Sequence, residues 1–473
     1  MNHFQSIWRY SEDRMFYNED TIAAISTPVG TGGIGIVRVS GKDAFSIAEK
    51  VFIGKKPFGK IKSHSMSYGR IVDPDSGEVI DEVLISRMNA PNTYTKEDIV
   101  EINCHGGLIN LRLILELIIR LGSRLSDPGE FTKRAFLNGR IDLSQAEAVI
   151  DIINASSDKG AKAAVVQLEG ALSEKIRSYR EKLIKLMAHI EVTVDYPEDD
   201  IEEITGEQVY EESKVILEDL LDLSKSFDRG RIIKEGVNLV ISGRPNVGKS
   251  SLLNALAGKN KAIVSEIPGT TRDFVEEYIN VKGVQVKVTD TAGIRETRDE
   301  IEKIGVDRAK EAIKNADINI VIIDGSVGIL PEDQVILETQ SERTLTVVNK
   351  VDKADEKVLD VIKRALNNRR LLFVSAKTGQ GLSGLENEIS GLTEKEGINR
   401  SNEILVTNIR HKKLIDSAID SIREACASYE AGMPLDCLSI DIKSSADFLG
   451  QIIGESVNDD IIKEIFARFC IGK

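Results

Sequence analysis

Gly243-Arg-Pro-Asn-Val-Gly248-Lys249-Ser250 follows the apolar run Val237–Ser242 and leads straight into the helix-forming stretch Ser251–Leu256. Glycines at this spacing let successive backbone N–H groups face a phosphate at a helix N-terminus. Lys249 adds positive charge on the β- and γ-oxygens, and the Ser250 hydroxyl can ligate Mg²⁺. Around this phosphate loop, further apolar runs at Val284–Thr289, Ile318–Asp324, Thr344–Asn349 and Leu371–Ser375 alternate with helical segments. Apolar strands separated by helices predict a parallel sheet covered on both faces. An α/β P-loop domain is therefore expected over residues 236–396.

Three further motifs arrive in order and narrow the nucleotide to GTP. Asp290-Thr291-Ala292-Gly293 ends the second strand, where Asp290 can hold Mg²⁺ through water and Gly293 lies near a γ-phosphate. Asn349-Lys350-Val-Asp352 ends a later strand. The Asp352 carboxylate can accept from both the N1–H and the 2-amino group of guanine, a pair that adenine lacks. Ser375-Ala376-Lys377 closes the set with a backbone N–H for guanine O6. Between the first two motifs, Gly269-Thr270-Thr271-Arg-Asp273 stands where a first switch must lie, and Thr271 is the candidate hydroxyl ligand of Mg²⁺.

Hydrolysis needs a held water, and small regulatory GTPases use a glutamine just after the glycine of the second switch. Here that residue is Ile294, which neither donates nor accepts a hydrogen bond. The acids of Arg295-Glu-Thr-Arg-Asp-Glu-Ile-Glu302 are candidates for the task, and equally a solvated helix start. Asn246, inside the phosphate loop, reads two ways as well. Its amide oxygen could hold a monovalent cation over the bridging phosphate oxygen, or it is a turn residue after Pro245.

Outward from this domain the texture changes. Ser144 to Val194 contains no proline, and Leu168, Ala171, Leu172, Ile176 and Tyr179 begin a helical stripe that continues through Leu183, Leu186 and Ile190. An acidic loop at Tyr196–Asp200 precedes a further helix from about Glu207 to Asp228. Helical texture returns from Glu403, with Ile415, Ile419 and Ile422 on one face, so the α/β block reads as inserted into a helical domain. From Thr21 to about Asn138, short β-rich runs such as Gly35–Ser40 and Val83–Ser86, separated by turn signals, read as an α+β domain. The expected fold class is multidomain. It has an extension at 1–20, an α+β domain at 21–140, helical parts at 141–235 and 397–473, and the α/β insertion at 236–396.

Composition removes other classes. With Lys+Arg 62 against Asp+Glu 76 over 473 residues, the net charge of −14 disfavours general coating of nucleic acid. Cys104, Cys426, Cys437 and Cys470 form no CxxC pair, which argues against both a disulfide scaffold and a zinc site. Cys104-His105 before Gly106-Gly107 reads as turn and packing residues rather than a metal or nucleophile pair. The apolar run Leu111–Leu121 is broken by Arg112, Glu116 and Arg120, so no membrane span is expected. The first twenty residues mix acids with Arg9 and Arg14 and lack an apolar core, unlike a leader. The expectation is a reduced, cytoplasmic protein.

From Thr21 to Lys473 the chain resembles the MnmE (TrmE) family of tRNA-modification GTPases. Beyond the GTPase motifs, the resemblance rests on Asp290-Thr-Ala-Gly-Ile-Arg-Glu296, Glu130-Phe131 with Arg134–Asn138, Leu143-Ser-Gln-Ala-Glu147, and the terminal Cys470-Ile-Gly-Lys473. It implies a folate-binding N-terminal domain that homodimerises, and a helical domain interrupted by the GTPase. It also implies K⁺ held by Asn246, Thr270 and the carbonyls of Ser265 and Ile267, with Mg²⁺ on Ser250 and Thr271. The nucleotide set then extends to Val247, Ser251, Glu266 and Pro268. Glu302 matches the acid that orients water, and with Lys249, Thr271, Asn246 and Cys470 makes up the catalytic group; Cys470 matches the terminal cysteine of that family, and reads otherwise as a small buried side chain. Arg38, Glu101, Arg140 and Lys473 correspond to its pocket for 5-formyl- or 5,10-methylene-tetrahydrofolate. The cations suit the glutamate tail of the folate, and the carboxylate suits the pterin donors. Arg140 stands where some members carry Lys.

The implied reaction adds a carboxymethylaminomethyl or aminomethyl group to carbon 5 of the wobble uridine of tRNA. It proceeds in a heterotetramer with an MnmG-type flavoprotein. No GxGxxG follows the early strands, so FAD is expected only through that partner. The rival class, a ribosome-assembly GTPase that switches on RNA, predicts a basic RNA-binding appendage instead.

Overall fold

The computed structural model describes residues 20–28, 30–155, 157–195, 205–260, 276–281, 284–290, 316–338, 343–366, 369–394 and 404–473. These form two compact units, one running to Ile150 and including Ile453–Lys473, the other Asp151–Ile452. The tail after Ile453, expected in the second helical part, thus belongs with the N-terminal unit.

The first unit is built on a seven-stranded sheet of β1 (Ile22–Ile25), β2 (Gly35–Ser40), β3 (Phe52–Gly54), β4 (Ser65–Val72), β5 (Val79–Met88), β6 (Ile99–Cys104) and β7 (Arg124–Leu125), in the order β3-β4-β5-β6-β2-β1-β7. Period-two alternation sends Val37, Val39, Val100 and Ile102 into one core, with Ile114 and Ile118 of the Leu108–Arg120 helix. The same pleat turns Arg38 and Glu101, which are paired directly across β2 and β6, to the opposite face. The Asp459–Ala467 helix packs its Ile462 and Phe466 against Ala135, Leu143 and Ala146. Beside this core Arg134 is 2% exposed and holds Asp20, Glu97 and Glu130 at 2.7, 3.1 and 3.0 Å. Burial would raise the Asp20 and Glu130 carboxyls. Arg124 and Arg134 outweigh it and hold both below their ordinary values.

In the second unit, the Gly206–Glu235 helix begins with a capping box, Thr205 with Gln208, and packs along the Ile409–Glu430 helix. Ser224 Oγ donates to Asp416 at 2.7 Å, Val406 N donates to Ser226 Oγ at 3.1 Å, and a Cβ on Gly230 would come within 2.1 Å of Val406 O. The two helical segments that flank the α/β block therefore pack together, which periodicity alone left open. The Gly206–Glu235 helix runs on to the start of the second sheet, where Ile232 joins the core and Arg231 pairs with Asp317. Gly236 turns the chain at φ 85, and a Cβ there would meet Gln285 O at 2.6 Å.

The second sheet has the order β13-β12-β11-β8-β10-β9, from β8 (Val237–Ser242), β9 (Glu276–Val281), β10 (Val284–Asp290), β11 (Ile318–Asp324), β12 (Thr344–Asn349) and β13 (Leu371–Phe373). Five strands are parallel as expected, and β9 adds an antiparallel edge. Its sequence, Glu-Glu-Tyr-Ile-Asn-Val, breaks the apolar pattern because an edge strand has one side unpaired. Among the described residues no helix is long and apolar enough to cross a membrane.

Candidate functional site

β8 ends at Ser242, and the phosphate loop turns into the Lys249–Asn260 helix at the carboxyl edge of the parallel strands, where α/β sheets bind ligands. Gly243 takes φ 149, and a Cβ there would lie 2.7 Å from Ile322 O, so the loop passes close over β11. Gly248 takes φ 101, and its Cβ would be 2.3 Å from Asn349 Nδ2. Only glycine fits either place. Lys249 is 9% exposed and its Nζ donates to the carbonyls of Gly243 and Arg244 at 2.7 and 3.0 Å. The ammonium therefore lies under the loop that would wrap the phosphates. Asn246 is an exposed residue at φ 64, a region asparagine tolerates, as a turn residue after Pro245 requires.

The motifs expected to read guanine are tied to that loop. Asn349, 2% exposed, donates Nδ2 to Val247 O at 2.9 Å and accepts from Ala376 N at 3.0 Å. One amide thus joins the phosphate loop, the end of β12 and the Ser375-Ala376-Lys377 turn. Because Ala376 N already donates to Asn349, guanine O6 would share that donor. Lys350 Nζ donates to Asn246 O at 2.7 Å and pairs with Asp324 at 2.6 Å. Asp352 is exposed, and Ser375 Oγ donates to its Oδ1 at 2.7 Å. That bond holds the Asp352 carboxyl below its ordinary value, so it stays a pure acceptor at neutral pH.

Asp290 ends β10 opposite Ile241 of β8, which brings its backbone beside the end of the strand that leads into the phosphate loop. Thr291, Ala292 and Gly293 lie outside the described residues. So do Ser265, Glu266, Ile267, Pro268, Gly269, Thr270 and Thr271, and with them Ile294 and Glu302. Two contributors were not singled out from sequence. Asp324, at the end of β11, also accepts from Ser326 N at 3.0 Å; burial would raise its carboxyl, but Lys350 and Ser326 outweigh it and lower it. Asp333, 1% exposed, holds Arg244 of the phosphate loop at 2.9 Å. Position gave a signal for Asp324, since acids at the carboxyl ends of parallel strands face the ligand edge. For Asp333 there was none.

The first unit gathers the second set of candidates. Arg38 donates Nε to Glu101 Oε1 at 2.8 Å and Nη1 to Gly472 O at 3.2 Å. Its guanidinium lies 5.9 Å from the Tyr94 ring centre, and that of Arg140 lies 4.8 Å from it. Tyr94 Oη and Thr132 Oγ1 are 2.9 Å apart, which fixes the ring that both cations approach. Lys473 reaches this patch because Phe131 N donates to its carbonyl at 3.2 Å. Burial first, then Arg38, lowers the Lys473 ammonium from its ordinary value. Arg38, Glu101, Arg140 and Lys473 thus share one patch, with Tyr94 a member that no motif announced. Cys470 is exposed in the same tail, and its carbonyl accepts from Gly129 N at 3.3 Å. Cys104 is buried, its thiol donates to Gly35 O at 3.3 Å, and burial with the Asp81 charge pushes it up to about 11. His105 is held by Asp81 at 2.7 Å, so this pair serves packing and a turn. The described residues contain no cluster that could hold a metal through His, Cys, Asp or Glu.

Family models for the MnmE helical domain and for the N-terminus of GTP-binding protein TrmE match residues 143–470 and 21–140. Among curated proteins, the tRNA modification GTPase MnmE of Acetivibrio thermocellus is 58% identical over 97% of this chain and 100% of its own length. The protein of that name from Alkaliphilus oremlandii is 47% identical, over 97% and 100%. Of solved structures, Aquifex aeolicus Era bound to GDP and AlF4⁻ is 27% identical over 39% of this chain and 66% of that one, with a TM-score of 0.28.

Proposed function

The chain belongs to the MnmE (TrmE) family of tRNA modification GTPases, and from that premise we propose that it hydrolyses GTP to drive modification of tRNA. The phosphate loop holds the triphosphate, Ser250 with Thr271 holds Mg²⁺, and Asp352 reads guanine. Lys249 leaves its two loop carbonyls for the phosphate oxygens, exchanging neutral acceptors for charged ones. Asn246, Thr270 and the carbonyls of Ser265 and Ile267 hold K⁺, which supplies the positive charge an arginine finger brings elsewhere. Glu302 orients the attacking water.

The finer reading is transfer of a one-carbon unit from methylene-tetrahydrofolate to carbon 5 of the wobble uridine. The chain acts as a homodimer with an MnmG-type flavoprotein that supplies FAD. The observation that carries it is the patch of Arg38, Glu101, Arg140 and Lys473, drawn from distant parts of the chain. Such a patch suits a folate. Glu101 Oε1 is taken by Arg38, which leaves the carboxylate's other oxygen for pterin N–H donors, and Arg140 and Lys473 remain for the glutamate carboxylates. Tetrahydrofolate supplies the carbon when bound; the protein's part is to orient it and keep its charged tail paired.

Mass spectrometry of tRNA nucleosides from a deletion strain, with and without the restored gene, tests the proposal. Loss of a carbon-5 aminomethyl-type uridine that the gene restores supports it. An unchanged nucleoside profile refutes it.

A further inference from the structure

Gly472 lies in the patch just described, takes φ 89, and is buried between exposed Ile471 and half-buried Lys473. A Cβ on it would sit 2.4 Å from Ile25 O, 2.9 Å from Ser26 Cα and 3.0 Å from Ile25 C. These are backbone atoms of β1 and its exit, and they have little room to retreat. β1 is paired to β2 and β7, and Ser26 N donates to Ile36 O at 2.8 Å. Any side chain at 472 therefore meets a wall and an unfavourable backbone conformation at once.

The close approach has chemical consequences. With no side chain in between, the Gly472 carbonyl accepts from Ser26 Oγ at 3.1 Å and from Arg38 Nη1 at 3.2 Å. Arg38 is thus held by Glu101 on one edge and by the tail on another. The same descent brings Lys473 to Phe131 N and Cys470 to Gly129 N. Gly129 itself takes φ 68, where a Cβ would lie 2.7 Å from Phe466 O, so the receiving surface is also stripped of a side chain.

We propose that Gly472 is a positioning residue of the folate site: its lack of a side chain lets the tail dock on β1, which aims Arg38 and delivers the Lys473 ammonium. The proposal rests on the folate reading for the identity of the ligand, but the docking stands on geometry alone. The test uses the full chain with Gly472→Ala, with Ser26→Ala as a milder second variant and Ile471→Ala as the control. Three quantities are measured: hydrogen exchange of the Gly129 and Phe131 amides, binding of 5-formyltetrahydrofolate, and GTP turnover in K⁺.

Gly472→Ala should expose both amides to exchange and weaken folate binding by about tenfold or more, since several hydrogen bonds are lost together. GTP turnover should be unchanged, which reports that the second unit has folded, and exchange of the Val37 and Val39 amides should also be unchanged, which reports the same of the first. Ser26→Ala should act in the same direction and less, and Ile471→Ala not at all. Faster exchange in a chain whose wild type does not bind the folate would keep the docking role and remove only the ligand assignment. Wild-type exchange in Gly472→Ala overturns the docking role. Loosened exchange with undiminished folate affinity overturns the positioning role.

Discussion

Replacing Asn349 by alanine puts the reasoning about the nucleotide site under direct strain. Its side chain is 2% exposed and makes two hydrogen bonds, to Val247 O at 2.9 Å and from Ala376 N at 3.0 Å. Alanine leaves one buried acceptor and one half-buried donor without partners, at up to about 1–3 kcal/mol each, or ~2–6 kcal/mol together. Part of that cost falls on folding, against a typical margin of about 5–15 kcal/mol. The rest falls on binding, because the phosphate loop and the Ser375–Lys377 turn are then no longer held together before the nucleotide arrives. If half falls on binding, about 1–3 kcal/mol, GTP affinity drops by roughly 5- to 150-fold. Asn349→Asp keeps the acceptor for Ala376 N but sets a carboxylate oxygen against Val247 O, so it should be no better than alanine. The assay is a fluorescent GTP-analogue titration beside urea unfolding of the same preparations. If Asn349→Ala stays within twofold of wild type in affinity with an unshifted unfolding midpoint, the amide does not join the two loops as described.

Four other perturbations follow from the same sites. Asp352→Asn should weaken GTP and admit xanthosine nucleotides, since an amide can donate to the 2-oxo group; unchanged guanine preference in a competition titration rules the assignment out. GTP turnover should be faster in K⁺ than in Na⁺, and Asn246→Gly should remove the difference; glycine is the right substitute because alanine at φ 64 would add about 1–2 kcal/mol of backbone strain. Equal rates in both salts for wild type end the cation reading. Glu302→Ala should lower turnover by roughly 10²-fold or more with GTP affinity kept, while Glu300→Ala should not; equal losses would move the water-holding role elsewhere. Folate affinity should fall as pH rises toward 10.5, because burial and Arg38 lower the Lys473 ammonium below that ordinary value and the anion needs the charged form. In that range the unfolded chain binds more protons, so stability instead rises with pH. A pH profile identical in Lys473→Arg removes Lys473 from the site.

The GTP-reading part of this protein was legible along the chain because its chemistry is local. A phosphate loop is eight consecutive residues, and the Asn349–Asp352 and Ser375–Lys377 motifs each hang on the end of one apolar strand. The strands themselves announced their type by continuous apolar runs, as buried parallel strands do. β9 escaped for the complementary reason, since an edge strand carries no continuous apolar run. The patch proposed for a folate could be named only by resemblance, because Arg38, Glu101, Arg140 and Lys473 carry no spacing that relates them. Folding brings them together through cross-strand register, which sets Arg38 opposite Glu101, and through a tail whose carbonyls are caught by Gly129 and Phe131. Tyr94 and Gly472 belong to that patch for reasons that exist only in three dimensions: a ring within reach of two cations, and a gap too narrow for a Cβ. Hydrogen bonds and van der Waals walls act over a few ångströms of space. A function made by neighbours in sequence can therefore be read from the chain, whereas one made by residues hundreds of positions apart depends on the fold that brings them into contact.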